Sequence, residues 1–432
     1  MKEPLSQIAG LLLLAAFEFT NAIAAGPSAK ELAVLDEKMT VKQMAFSKDG
    51  SRLVILNVGP KVILWAASQP TTIINLPSPP PLEDHFGIAK MTPNGKIAVA
   101  GGRTQLQAWD CDTGKSIGGP IMGPQFGRIT AAAVSPDGRF VAIASNEMDK
   151  DFQNAVKPFP VGEISVWEVR SGKLRWRLPG DANEETWSGN EVSNLVFAPD
   201  ARRLAVVRES YPLHMLELEE GSDPPNVVPR LNRQLRSSNF FEGIHWLPNG
   251  RRILANNSTA IENWDASTLE RKSSFQLPYK RASTDPPTGF EEKLSAMSAD
   301  GTRLVIHLVR YIPEKSQREN RLVLFDVRDR AVLGRVELAP ESYTPGARII
   351  GKTPRGDIGS MVYFGSEGDS RIAISGDGHR VAYAPQGGPV RVFDVANLGG
   401  DATSATESEA GNPREKKKPE AGKRGAAAKA KS

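Results

Sequence analysis

Seven times along this chain a four-residue phrase ending in Asp-Gly, Asn-Gly or a close variant is followed by a mostly apolar run. A fixed repeat of this kind limits the fold more than any local propensity does. The phrases are "SKDG" (Ser47 to Gly50), "TPNG" (Thr92 to Gly95), "SPDG" (Ser135 to Gly138), "APDA" (Ala198 to Ala201), "LPNG" (Leu247 to Gly250), "SADG" (Ser298 to Gly301) and "SGDG" (Ser375 to Gly378). The runs after them read "RLVILNV", "KIAVAGG", "RFVAIAS", "RLAVVRE", "RRILANN", "RLVIHLV" and "RVAYAPQ". Gly takes positive φ freely, while Asp or Asn tolerates it and bonds its own backbone, so each phrase predicts a tight turn between two strands. Nearly continuous apolar runs without strict alternation predict strands covered on both faces, as in sheets stacked face to face. Among 432 residues the 39 Gly and 32 Pro agree with many turns and short strands.

Later in each copy stands an aromatic or large apolar residue, usually followed by an acid. In order these are Trp65, Trp109 with Asp110, Trp167 with Glu168, Leu216 with Glu217, Trp264 with Asp265, Phe325 with Asp326, and Phe393 with Asp394. Over residues ~31 to 399 the chain resembles the WD40-repeat propellers, whose turn phrase links the first two strands of a repeat and whose Trp-Asp pair ends the third. The resemblance implies an all-β fold: a seven-bladed β-propeller of four-stranded antiparallel blades. The family's Gly-His pair is missing from all seven copies, since Gly378-His379 lies inside a turn phrase, so the tetrad built on that His is not implied.

After Asn397 the chain reads "LGGDATSATESEAGN", with no apolar run to serve as the last strand of the seventh blade, whereas "ELAVLDE" (Glu31 to Glu37) precedes the first repeat. The N-terminal segment is expected to complete the final blade, which pairs the otherwise exposed edges of the ring. The domain reading is therefore a signal peptide over 1–25, a propeller over 26–399 and a disordered tail over 400–432.

The signal reading rests on "IAGLLLLAAF" (Ile8 to Phe17), a short apolar run followed by Ala22 and Ala24 as an A-x-A-like cleavage site, with a cut after Ala24 or Ala25. The run is too short to span a bilayer, which needs ~20 apolar residues, so no transmembrane segment is expected. Export to the periplasm or medium is the expected localisation, and a cytoplasmic chain is the alternative. The single cysteine, Cys111, excludes an internal disulfide framework and any multi-cysteine metal site.

The formal net charge of +4 is unevenly placed. Residues 413–432 carry eight Lys or Arg against two Glu, which leaves residues 1–412 slightly acidic. This tail, "PREKKKPEAGKRGAAAKAKS", has no aromatic residue and too little apolar surface to offset its ordering entropy. Lys416, Lys417, Lys418, Lys423 and Arg424 are its candidate contacts to a polyanion, with affinity that falls steeply with salt. In an exported chain the polyanion is an anionic surface or envelope polymer.

In the implied architecture the turn phrases share one face, and the loops between second and third strands share the other with the connections between blades. The turn loops are minimal. On the opposite face, "NEMDKDFQNAVKPFPVG" (Asn146 to Gly162) and "RYIPEKSQREN" (Arg310 to Asn320) lengthen second-to-third connections, and Ala339 to Ser370 lies between blades six and seven. Long loops gathered on one face are the usual place for recognition. Candidate binding residues there are Arg103, Phe152, Phe159, Arg208, Tyr211, Arg310 and Tyr311, since Arg and aromatic side chains are favoured at binding hot spots.

Chemistry leaves little trace. There is no G-x-S-x-G elbow. "DCDTG" (Asp110 to Gly114) lacks the later acids of a calcium loop and falls where a third-to-fourth strand turn belongs. The five histidines, His85, His214, His245, His307 and His379, show no metal-ligand spacing, and His307 is expected to be a packed core residue. "RGD" (Arg355 to Asp357) carries no weight, and the sequons in "NNST" (Asn256 to Thr259) matter only if the host glycosylates its exports. No cofactor and no catalytic residue is expected. The reading is a non-catalytic protein that holds a partner protein or ligand on its long-loop face. Two alternatives remain: a lactonase or hydrolase with acids holding a metal at the central channel, and a cytoplasmic scaffold whose tail contacts nucleic acid.

Overall fold

The structure, a computed structural model, describes residues 29–35, 39–57, 61–77, 87–102, 104–123, 127–147, 161–178, 192–208, 211–218, 226–227, 243–256, 260–277, 290–342, 351–352, 358–359, 371–385 and 387–398. They form a closed ring of seven antiparallel sheets, a seven-bladed β-propeller, and a separate short pair, Gly351–Lys352 with Ile358–Gly359. The first strands of the blades are Val41–Phe46, Ile88–Met91, Gly127–Val134, Val192–Phe197, Gly243–Trp246, Glu291–Met297 and Arg371–Ile374. Each pairs with the second strand of its own blade and packs against the first strand of the next, and the seventh packs against the first, so these strands surround the axis.

Seven apolar clusters make up the core, one at each seam between neighbouring blades. The second strands feed two seams at once, which explains their unbroken apolar runs. In blade 1, Leu53 and Ile55 pack toward blade 7, whereas Val54 and Leu56 pack toward blade 2.

Blade 7 takes its outer strand from the start of the chain. Lys30–Leu35 runs antiparallel to Val390–Asp394, with Lys30 opposite Asp394 and Leu35 opposite Val390. The edge of the third strand of blade 7 is thereby paired, and Ala33 and Leu35 are buried in the seam with blade 1.

The turn phrase is built from side chains as well as from glycine. In "SPDG" the buried Ser135 hydroxyl donates to Asp137 Oδ1 at 2.6 Å and accepts the Phe140 amide at 2.9 Å, and Asp137 Oδ1 accepts the Arg139 amide at 3.0 Å. Gly138 takes φ +74°, the left-handed conformation that L side chains resist. The same set of bonds closes the phrases that begin at Ser47, Thr92, Ser298 and Ser375. Blades 4 and 5 have Ala198 and Leu247 in that first position and do without the hydroxyl.

Candidate functional site

The turn-phrase face is described in every blade, and its polar groups bond across the seams. On the turn-phrase face, an arginine at the start of the second strand reaches across the seam to the turn glycine of the next blade. Arg380 Nη1 donates to the Gly50 carbonyl at 2.7 Å, Arg52 Nη1 to Gly95 at 2.9 Å, Arg203 Nη2 to Gly250 at 3.1 Å and Arg303 Nη1 to Gly378 at 3.1 Å. Backbone bonds between turns add to these, with Lys48 N donating to Pro93 O at 2.8 Å and Asp377 N to Lys48 O at 2.7 Å. This face is largely bonded to itself.

The opposite face carries an arm. "RYIPEKSQREN" is expected from the sequence to be a lengthened loop, and the structure corrects this: it continues the second and third strands of blade 6. Arg303–Ile312 and Gln317–Asp326 pair without a break from Arg303↔Asp326 to Ile312↔Gln317, joined by a 3-10 turn at Pro313–Lys315 and by Ser316 in the left-handed region. Cross-strand chemistry explains why. Arg310 and Glu319 stand directly opposite, and the Arg310 Nε and Nη2 donate to Glu319 Oε2 at 3.0 and 2.5 Å.

Below the tip the arm is braced on both sides. The Arg310 and Arg321 guanidinium groups lie over the Phe290 ring at 4.7 and 4.2 Å. Arg318 donates twice to Glu341 Oε2, at 2.8 and 2.6 Å, while the Tyr383 hydroxyl of blade 7 donates to Glu341 Oε1 at 2.7 Å. Glu341 belongs to the short strand Glu341–Ser342, which pairs with Gln317 and Arg318. His307, fully buried, shares a 3.1 Å hydrogen bond with Asn320 and packs its ring on Tyr383 at 5.2 Å. It is the packed core histidine that the sequence suggests.

Of the seven candidate binding residues, Arg310 and Tyr311 are brought together on this arm, with Arg310 already committed to Glu319 and Phe290. Arg208 and Tyr211 are paired strand residues of blade 4, and their side chains lie outside the described residues. Arg103, Phe152 and Phe159 lie outside them too, as do the signal segment, the RGD stretch and the basic tail. Asn256, the first sequon asparagine, is buried.

The sequence reading places acids holding a metal at the central channel, and two basic residues of the first strands fall outside that expectation. Two residues before the turn phrase, five blades have only Ala45, Ala133, Val196, Ala296 or Ala373, whereas blade 2 has Lys90 and blade 5 has His245. The two blades face each other across the axis, three steps apart around the ring. Both side chains are half-buried. Burial holds the Lys90 ammonium below its ordinary range, and burial, with the Lys90 charge second, pulls the His245 imidazole down to about 4. The repeat alignment was the available signal, since a lysine in a register otherwise filled by alanine and valine stands out.

Toward the other end of the channel, the first strands of blades 1, 3, 4 and 6 each slip register near the fifth residue before the phrase. The bulges turn side chains across the seams, so that Thr130 Oγ1 donates to the Val192 carbonyl at 2.8 Å. Gln43 Oε1 accepts the Ala89 amide at 2.5 Å, and Arg371 Nε donates to the Lys42 carbonyl at 2.9 Å.

No protein-family model matches the chain, and no curated protein does. The site must therefore be read from its own chemistry. Among the described residues no group of three or more His, Cys, Asp or Glu is placed to hold a metal ion. Asp110 serves the third-to-fourth strand turn, accepting the Asp112 and Thr113 amides at 2.9 Å each. Asp265 does the same for Ser267 and Thr268, which with the Ser267 hydroxyl lowers its carboxyl to about 2. The acid after the aromatic residue is thus a turn cap. Cys111 is buried, and burial pushes its thiol up to about 12, which removes it as a nucleophile.

Proposed function

We propose that this chain is a non-catalytic binding scaffold, a divergent member of the WD40-type propellers, which holds a partner protein on the face that carries the blade 6 arm. The observation that carries the reading is the contrast between the turn-phrase face and the arm. Turn-phrase polar groups are spent on neighbouring blades, whereas the arm is a braced strand pair whose tip, Pro313–Lys315, has no buried residue. A rigid projection loses little conformational freedom when a partner docks on it. The WD40 relationship is supported by the turn phrase between first and second strands and by the aromatic-acid pair that ends the third.

On the same footing we propose export after cleavage at Ala24 or Ala25, a cut that leaves Lys30–Leu35 in the mature chain for blade 7. The tail residues Lys416, Lys417, Lys418, Lys423 and Arg424 would then add electrostatic attachment to an anionic surface.

A photo-cross-linking residue placed at Glu314 on the arm, and separately at Asp137 on the turn-phrase face, tests the binding reading in intact cells. A discrete protein adduct from position 314 alone is expected. Adducts from both positions, or from neither, would overturn it.

A further inference from the structure

We propose that the seam between blades 5 and 6, on the turn-phrase face, binds a side-chain carboxylate of an acidic peptide through Arg252 and Arg328. This is independent of what the arm binds. The seam between blades 1 and 2 supplies the template. There Arg52 donates to the Gly95 carbonyl at 2.9 Å and, through Nη2, to the carboxylate of Asp112 in the third-to-fourth strand turn of blade 2. The same backbone frame recurs in blades 5 and 6. Arg252 opens its second strand as Arg52 does, and the carbonyls of the two accept the Leu247 and Ser47 amides at 2.9 Å each. In blade 6 the Val327 amide donates to the Thr302 carbonyl at 2.8 Å, as the Cys111 amide of blade 2 does to Lys96 at 2.8 Å. Asp326 Oδ1 accepts the Arg328 and Asp329 amides at 2.8 Å, as Asp110 Oδ1 accepts those of Asp112 and Thr113 at 2.9 Å. Arg328 therefore holds the position of Asp112, so this seam keeps the arginine and replaces its acid by a second cation.

Neither guanidinium finds a substitute within the chain. A Cβ on Gly301 would meet Leu247 Cδ2 at 2.5 Å and Leu254 Cδ1 at 2.7 Å, in the place that the stems of Arg303 and Arg380 take beside Gly378 and Gly50. The leucines stand where the clamp would lie, and among the described residues the Arg252 and Arg328 side chains have no hydrogen bond, ion pair or ring contact. The acids nearby, Asp265, Asp300 and Asp326, each commit a carboxylate oxygen to their own turn. A guanidinium fork matches the two oxygens of a carboxylate, and half-buried Arg252 is screened less than a fully exposed charge. Exposed Arg251, one residue earlier, adds a third positive charge, which favours a run of acids over a single one.

The test is fluorescence anisotropy of labelled hexaglutamate with the intact chain at constant ionic strength, with labelled hexalysine in parallel. Saturable binding of hexaglutamate alone is expected, weakened at least tenfold in Arg252→Gln and Arg328→Asp and severalfold in Arg328→Gln. Arg328→Asp restores the acid of the template seam, so it is expected to fold with a Tm no lower than that of the natural chain. Arg170→Asp is the charge-matched control, because Arg170 holds the same turn position in blade 3, across from Ile97 instead of an arginine. Its binding should be unchanged. Succinate that displaces the label as well as unlabelled hexaglutamate would still support a carboxylate site and assign it to small dicarboxylates. Absence of saturable binding by either, hexalysine binding as tightly, binding undiminished in Arg252→Gln, or a loss in Arg170→Asp as large as that in Arg328→Asp would overturn the proposal.

Discussion

Ala201 occupies the position that glycine holds in the other six turn phrases, and it does so at φ 58°. The left-handed region costs a residue with a Cβ about 1–2 kcal/mol, because the Cβ crowds the carbonyl that follows it. Replacing Ala201 by Gly removes that crowding at a small entropic cost to the unfolded chain, so Ala201→Gly should raise stability by about 0.5–1 kcal/mol. Urea denaturation of both proteins measures it, and an unchanged or lowered midpoint would mean that the alanine backbone is not strained. His245 makes a second prediction at this scale. Its folded-state value of about 4 lies below the ordinary 6.5, so on acidification the unfolded chain takes up this proton first. Stability contributed by neutral His245 is therefore whole above pH 6.5 and declines as pH falls from there toward 4. His245→Gln should flatten that part of the pH–stability curve in phosphate-free buffer.

The blade 6 arm shows where single-residue reasoning gives way to pairing. Read along the chain, "RYIPEKSQREN" is polar, contains Pro and resembles a loop. Its strand character arises from residues that meet only on folding, Arg310 with Glu319 across the hairpin and Arg318 with Glu341 of the short neighbouring strand, and from a hydroxyl delivered by another blade. Tyr383 is almost fully buried and its phenol donates to a carboxylate already held by Arg318, so the bond is charge-assisted and poorly screened. Tyr383→Phe should cost about 1–2 kcal/mol of stability while leaving the core volume in place. A double-mutant cycle with Glu341→Gln checks the assignment: additive losses would show that Glu341 does not receive the Tyr383 hydrogen bond in solution. The turn phrases are the opposite case. Their chemistry is local, with Ser135, Asp137 and Gly138 in four consecutive residues, and so it could be read from the sequence. The arginine clamps were missed because Arg52 and Gly95, or Arg380 and Gly50, become neighbours only when the ring closes.

At the scale of the whole molecule, the repeat count made the seven blades legible, since each copy supplies one turn phrase, one apolar second strand and one aromatic-ended third strand. What surrounds the axis was not legible in the same way. Lys90 and His245 belong to blades 2 and 5, far apart in sequence, and share one ring of first strands only once the propeller closes. Ring closure also sets how the molecule should fail. Each seam core is shared by two blades, so a blade that loses its outer strand exposes its edge and thins the adjoining seam as well. Without Lys30–Leu35, the Val390–Asp394 strand presents unpaired backbone groups and the seam between blades 7 and 1 loses Ala33 and Leu35. An edge of that kind invites pairing with another chain. A chain lacking residues 1–35 should therefore lose about 3 kcal/mol or more of stability, judged from the leucine burial and strand pairing removed, and should associate as concentration rises. Urea denaturation and light scattering after size-exclusion chromatography measure the two effects, with a chain lacking residues 1–28 as the control that keeps the strand. Equal midpoints and equal masses for the two truncations would show that the ring is held shut by its seams alone, without help from the strand that the chain's beginning lends to its last blade.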